Sequence, residues 1–176
     1  MMLTRSELHE IADQLPPLIF SAQGGNDWVQ STLVQTYLSD YGINFTQEFP
    51  QLTHNFGCIN AAGFKIAAQY WLPQNAQGTL VLVHGYYDHV GVFDHPIRFA
   101  LHNNLAVITF DLPGHGLSSG EQAAINSFDQ YADVLAEILR KSAGIMKQPV
   151  YALGQSTGYA VIMNYLWRYA AQRNPL

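Results

Sequence analysis

Leu80-Val81-Leu82-Val83 is an unbroken aliphatic run, and Leu105 to Phe110 is nearly one. Short apolar runs bounded by turn residues predict buried strands. Phe64 to Leu72 alternates loosely and predicts another strand, ended by Pro73 and the polar run Gln74 to Gly78. Val150 to Leu153 is a further short apolar stretch. Other segments carry their apolar residues at helical spacing. Thr4-x-x-Glu7 is a capping box, with Leu8, Ile11, Ala12 and Leu15 on one face and Pro16-Pro17 as the stop. A helix is expected from Asp27 to about Ser39, with Trp28, Leu33, Val34, Tyr37 and Leu38 apolar and Gly42 beyond its end. Pro96 marks the start of a helix reaching about Asn103. Ser127 to Gln130 is a second capping box, ahead of Tyr131, Val134, Leu135, Ile138 and Leu139. A last helix should run to about Arg173. Strand, helix, strand, helix, strand, helix predicts an α/β fold: a mostly parallel sheet with helices on both faces. Residues 1–50 read as a helical N-terminal extension without recognisable chemistry, and 51–176 as the α/β domain.

Composition narrows the class. With 48% hydrophobic and 12% charged residues, the chain is globular rather than disordered. A net charge of −5 leaves no footprint for nucleic acid, and no Lys/Arg cluster suits an anionic membrane. The longest aliphatic run is too short to span a bilayer. Arg5, Glu7, His9 and Glu10 interrupt any signal-peptide pattern, so a cytoplasmic protein is expected. Cys58 is the one cysteine and reads as a small hydrophobe beside a strand.

Gly154-Gln155-Ser156-Thr157-Gly158 fits G-x-S-x-G, a pattern that matters only between a strand and a helix. Here an apolar strand precedes it and an apolar helix follows. Such a bend lifts the Ser156 hydroxyl clear of the sheet, and flanking glycines avoid collision with neighbouring elements. The helix N-terminus favours negative charge developing beside the serine. An ordinary turn with Ser156 as N-cap is the plainer reading. His84-Gly85-Tyr86 follows the first buried strand, where the amide of Tyr86 could join that of Thr157 as an oxyanion hole. Asp111-Leu112-Pro113-Gly114-His115-Gly116-Leu117-Ser118-Ser119-Gly120 follows the next strand, with glycines suited to a tight turn.

With Tyr70-Trp71-Leu72-Pro73, these segments resemble the α/β-hydrolase superfamily, in its monoacylglycerol lipase, lysophospholipase and serine-aminopeptidase-like branch. The resemblance covers about Gly57 to Arg173. It implies an α/β-hydrolase fold and hydrolysis of carboxylic esters, with small-molecule ester or lipid substrates. Ser156 becomes the nucleophile, Tyr86 and Thr157 the oxyanion amides, and no cofactor or metal is needed. His84, Gly85, Gly154, Gly158, Asp111, Gly114, His115 and Gly116 become structural residues of the turns, and His89 a support of the oxyanion loop. Tyr87 and Tyr159 stand where the family often has glycine, and Gln155 and Thr157 depart from its usual elbow.

Family order places the triad acid and base after the serine. The chain therefore reads as the N-terminal half of the fold, stopping after the elbow helix and inactive by itself. Among the upstream histidines, His84, His89, His95, His102 and His115, a substitute base is a minor expectation. Val150 to Leu153 should present an unpaired edge, open to a second chain or self-association. Two rival readings remain: a non-catalytic or split hydrolase acting as a binding module, and a zinc metallohydrolase using His84, Asp88, His89 and His115. The second must place Tyr86 where zinc sites have a histidine. Gly114, Gly116 and Gly120 miss the dinucleotide-binding spacing by one residue.

Overall fold

A computed structural model describes residues 3–24 and 27–170. Five strands form one sheet in the order β1-β2-β4-β3-β5: β1 Leu52–Ala61, β2 Phe64–Pro73, β3 Gly78–Val83, β4 Leu105–Phe110 and β5 Val150–Gly154. β1 and β2 form an antiparallel hairpin, and β2 pairs antiparallel with β4. β3 pairs parallel with both β4 and β5, in the register Val83↔Phe110 and Val83↔Gly154. The expected mostly parallel arrangement is present around β3, while the antiparallel pairs of β2 make the sheet as a whole mixed.

Helices cover both faces. α1 Arg5–Gln14, α2 Thr32–Asp40 and α3 Asp94–His102 pack with Leu80, Leu82, Val107 and Trp71 in one apolar cluster. α4 Asp129–Ser142 and α5 Thr157–Tyr165 pack with Val81, Val83, Ile108 and Phe110 in the other. Odd and even positions of β3 thus enter different cores, which is why its sequence is aliphatic throughout. Residues of the N-terminal helices, Ile11, Val34 and Leu38 among them, are fully buried in the first cluster.

Several local expectations change. The Thr4–Glu7 capping box forms as read. The single helix expected from Asp27 is two: a 3₁₀ turn at Asp27–Gln30, then α2 beginning after Ser31. Ser31 has the extended backbone of an N-cap, which ends the first turn. At the second capping box, Gln130 reaches back to the Ser127 amide, but the Ser127 hydroxyl accepts from Asp129 N instead of Gln130 N. The box is half formed, and α4 starts at Asp129. α5 passes into a π-helical turn at Leu166–Ala170, and its expected end at Arg173 lies outside the described residues. β1 has no counterpart in the hydropathy reading.

The two sheet edges differ. At β1, Cys58 N donates to Pro16 O and Leu18 N donates to Cys58 O, so the segment after α1 closes that edge. Cys58 is half-buried there, its thiol donating to Leu15 O. β5 has a partner on one side only among the described residues, and Tyr151 and Leu153 are exposed.

Candidate active site

The C-terminal ends of β3, β4 and β5 lie side by side, and three loops leave from them. In open α/β sheets such crevices are where ligands bind. The loop after β5 is a sharp elbow. Ser156 sits there at φ 50°, ψ −114°, a conformation that a non-glycine residue holds only under constraint. The constraint is visible on either side. A Cβ on Gly154 would lie 2.3 Å from Tyr159 N, and one on Gly158 would lie 2.0 Å from Val83 O. Gln155 N donates to Val83 O, and Gly158 N to Gln155 O, pinning the bend to the end of β3. Ser156 is exposed, and its hydroxyl has no hydrogen-bond partner among the described residues.

The loop after β3 abuts this elbow. A Cβ on Gly85 would lie 3.3 Å from Gln155 O and 3.4 Å from Ser156 Cβ. Tyr86 and Tyr87 occupy the middle of a turn closed by Asp88 N donating to Gly85 O. Tyr87 has φ 63°, the left-handed position that glycine usually takes in such a turn. Neither Tyr86 N nor Thr157 N donates to a protein acceptor among the described residues. The Tyr86 hydroxyl donates to Ala123 O at 2.7 Å, fixing the residue to the loop after β4.

His84 and Asp111 brace the loops to one another. His84 donates from Nδ1 to Gly85 O and accepts at Nε2 from Leu112 N. Burial lowers its pKa, the largest of several influences, and holds it neutral between those two partners. Asp111 accepts from Val90 N at Oδ1 and from Leu117 N at Oδ2, both at 2.8 Å. Gly116 (φ 51°) must lack a side chain, since a Cβ would meet Asp111 Oδ2 at 2.2 Å. Gly114 (φ 73°) is similarly confined, 2.1 Å from Glu121 O. His115 is buried, with Nδ1 on Pro113 O and its ring 5.4 Å from that of His84. His89 accepts Gly91 N at Nδ1, capping the 3₁₀ turn Val90–Phe93.

The sequence-predicted residues therefore come together, with Ser156 at the crest and the glycines, His84 and Asp111 beneath. Neither His84 nor His115 offers Ser156 a base; their hydrogen bonds run to loop backbone. With both His84 nitrogens occupied, the proposed zinc set does not assemble, and no group of three metal-ligating side chains exists among the described residues. Sequence reasoning missed the Tyr86–Ala123 tie and the approach of Asp88, whose Oδ2 lies 3.3 Å from the same Gly85 Cβ position that Ser156 crowds. Only the loop geometry reveals either.

Residues 74–175 match the profile of the serine aminopeptidase S33 hydrolases. A monoacylglycerol lipase of Mycolicibacterium smegmatis is 26% identical over 121 residues, covering 68% of this chain and 42% of the lipase. Phospholipase YtpA of Bacillus subtilis is 29% identical over 105 residues, 60% of this chain and 39% of its own. The esterase Pf2001 of Pyrococcus furiosus superposes with a TM-score of 0.59 at 18% identity, over 71% of this chain and 50% of the esterase, a likeness of fold. The chain spans less than half the length of the two sequence relatives.

Proposed function

The chain belongs to the serine aminopeptidase S33 family of α/β hydrolases, and from that premise we propose that it is the nucleophile-bearing part of a serine ester hydrolase. The observation that carries this is the strained, glycine-walled Ser156 with its hydroxyl free at the mouth of the sheet. Ser156 Oγ attacks the acyl carbon of a carboxylic ester, and the alcohol leaves. The amides of Tyr86 and Thr157, free of protein acceptors, grip the oxyanion; each donor in such a hole is worth about 10²–10³ in rate. Water then releases the acid. Substrates of acylglycerol or lysophospholipid type fit the names of the two sequence relatives.

No imidazole is hydrogen-bonded to Ser156 among the described residues, and we infer that the proton acceptor is supplied by further polypeptide. Losing the base of a comparable triad costs about 10⁶ in kcat, so the chain alone turns over little. We infer that the open edge of β5 receives the polypeptide carrying the acid and base, a region of the kind the longer relatives have beyond the matched residues. A parallel strand there would end beside Ser156.

A fluorophosphonate probe tests the reading. Slow labelling is expected at Ser156, accelerated by added imidazole in place of the missing base and abolished in Ser156→Ala. Equal labelling of the Ala variant, with or without imidazole, overturns it. The binding-module reading draws on the same unpartnered hydroxyl, and complete inertness to the probe would favour it.

A further inference from the structure

The turn that carries the Tyr86 amide is held at one peptide and not at the next. Gly85 O accepts from His84 Nδ1 at 2.7 Å and from Asp88 N at 3.3 Å. A trans peptide points its C=O and N–H in opposite directions, so this grip aims the Tyr86 N–H away from both donors. The following peptide lacks such a hold: neither Tyr86 O nor Tyr87 N has a hydrogen-bond partner among the described residues. Tyr87 meanwhile keeps φ 63°, which strains a bulky side chain. Rotating the unbonded peptide would relieve that strain, as in the change from a type II to a type I turn. Such a conformation persists only where something outside the turn holds it.

The outside hold is the Tyr86 hydroxyl, which donates to Ala123 O at 2.7 Å. Ala123 is a fixed acceptor. It sits at φ 53°, its N–H donates to Gly114 O, and Gly114 N donates to Ser119 O, closing the loop after β4 upon itself. A Cβ on Gly114 would meet Glu121 O at 2.1 Å and Ala123 N at 3.2 Å, so this neck has no room to slide. The Tyr86 ring lies edge-on to Tyr87, with centroids 4.3 Å apart, and to buried His115 at 5.6 Å. Of the five non-glycine residues with positive φ among the described residues, three lie on the loops joined here: Tyr87, Ala123 and Ser156. Strain gathered in this way marks a working site.

We propose that the Tyr86 side chain is a positioning latch of the oxyanion hole: its hydroxyl, tied to the loop after β4, keeps the strained turn from relaxing and so keeps the Tyr86 amide aimed beside Ser156. The other donor, Thr157 N, opens α5 and is fixed by the helix and by the contact of Gly158 with Val83 O. The latch thus acts on the one donor that stands on a loop. Its effect on rate rests on the ester-hydrolase reading; its hold on the amide does not.

The test compares Tyr86→Phe, which removes only the hydroxyl, with the double variant Tyr86→Phe/Tyr87→Gly, in which glycine takes positive φ without strain. The full chain is treated with the fluorophosphonate probe and imidazole. At saturating probe, Tyr86→Phe should label at Ser156 about two- to tenfold more slowly, the net worth of one hydrogen bond, with the half-saturating probe concentration unchanged. The double variant should recover most of that loss, which a merely structural role of the phenol would not allow. A second readout needs no nucleophile: NMR relaxation and hydrogen exchange of the amide at position 86. That amide should loosen in the single variant and steady again in the double. An amide indifferent to Tyr86→Phe overturns the latch, as does an unchanged labelling rate or a loss that the double variant fails to restore. If the unsubstituted chain takes no label at Ser156, the ester-hydrolase reading fails, and the amide signal alone still decides the latch.

Discussion

The carbonyl oxygen of Val83 lies 2.0 Å from where a Cβ on Gly158 would stand, so the first turn of α5 rests directly on the backbone of β3. Neither partner is the mobile end of a side chain. Gly158→Ala must therefore push the elbow off the sheet, at a cost of about 3 kcal/mol, the upper range for overpacking. Chemical denaturation should show that loss together with loss of Ser156 labelling. Gly144→Ala, in open space, should change stability little by comparison.

Asp111 holds two loops with one carboxylate. Asp111→Ala leaves the buried Val90 and Leu117 amides without acceptors, each worth about 1–3 kcal/mol, for a total near 4 kcal/mol. Asp111→Asn retains one acceptor and should fall between. Denaturant midpoints order the three proteins. Equal midpoints for the wild type and the Ala variant would mean that the loops are held elsewhere.

What the sequence revealed and what it hid divide along one physical line. Gly154, Gly158, Gly116 and the elbow serine were legible because backbone contact forbids any other residue at those glycines, and forbidden side chains leave a motif. β1 was hidden because its polar residues are buried. Asn55 is 1% exposed, its side chain donating to Ile19 O and accepting from Phe56 N, and His54 stacks on Trp71. Hydropathy reads such residues as loop. Ser31 split the second helix by its local backbone rather than by any change in apolar spacing. The tie from the Tyr86 hydroxyl to Ala123 O joins residues 37 positions apart, so no local pattern announces it.

His54 makes stability depend on pH. Buried at a ring-to-ring distance of 4.7 Å from Trp71 and bonded to Gln69, it has a pKa lowered from 6.5 to about 4, chiefly by burial. The unfolded chain binds this proton more readily than the folded one. The stability from neutral His54 is thus full above about pH 6.5 and lost as pH falls towards 4, by about 3 kcal/mol in all. Urea unfolding across that window should show the slope, and His54→Phe should remove its share of it. An unchanged slope in the variant would place the titration on other groups.

The β5 edge gives the last prediction. Tyr151 and Leu153 are half exposed on the strand, and beside them α5 and the following turn show Tyr159 at 61% and Trp167 at 83% exposure. On β3 the registered neighbours Leu80 and Leu82 are buried, so the apolar face simply continues past its cover. An unpaired strand with such a face recruits another strand, and a lysine on it blocks pairing. The chain by itself should self-associate with rising concentration in light scattering. Leu153→Lys with Tyr151→Thr should return it towards a monomer, at little cost in stability because neither side chain is buried. If the unmodified chain is instead a clean monomer that melts cooperatively, the edge is not sticky, and the proposed docking of further polypeptide on β5 loses its physical basis.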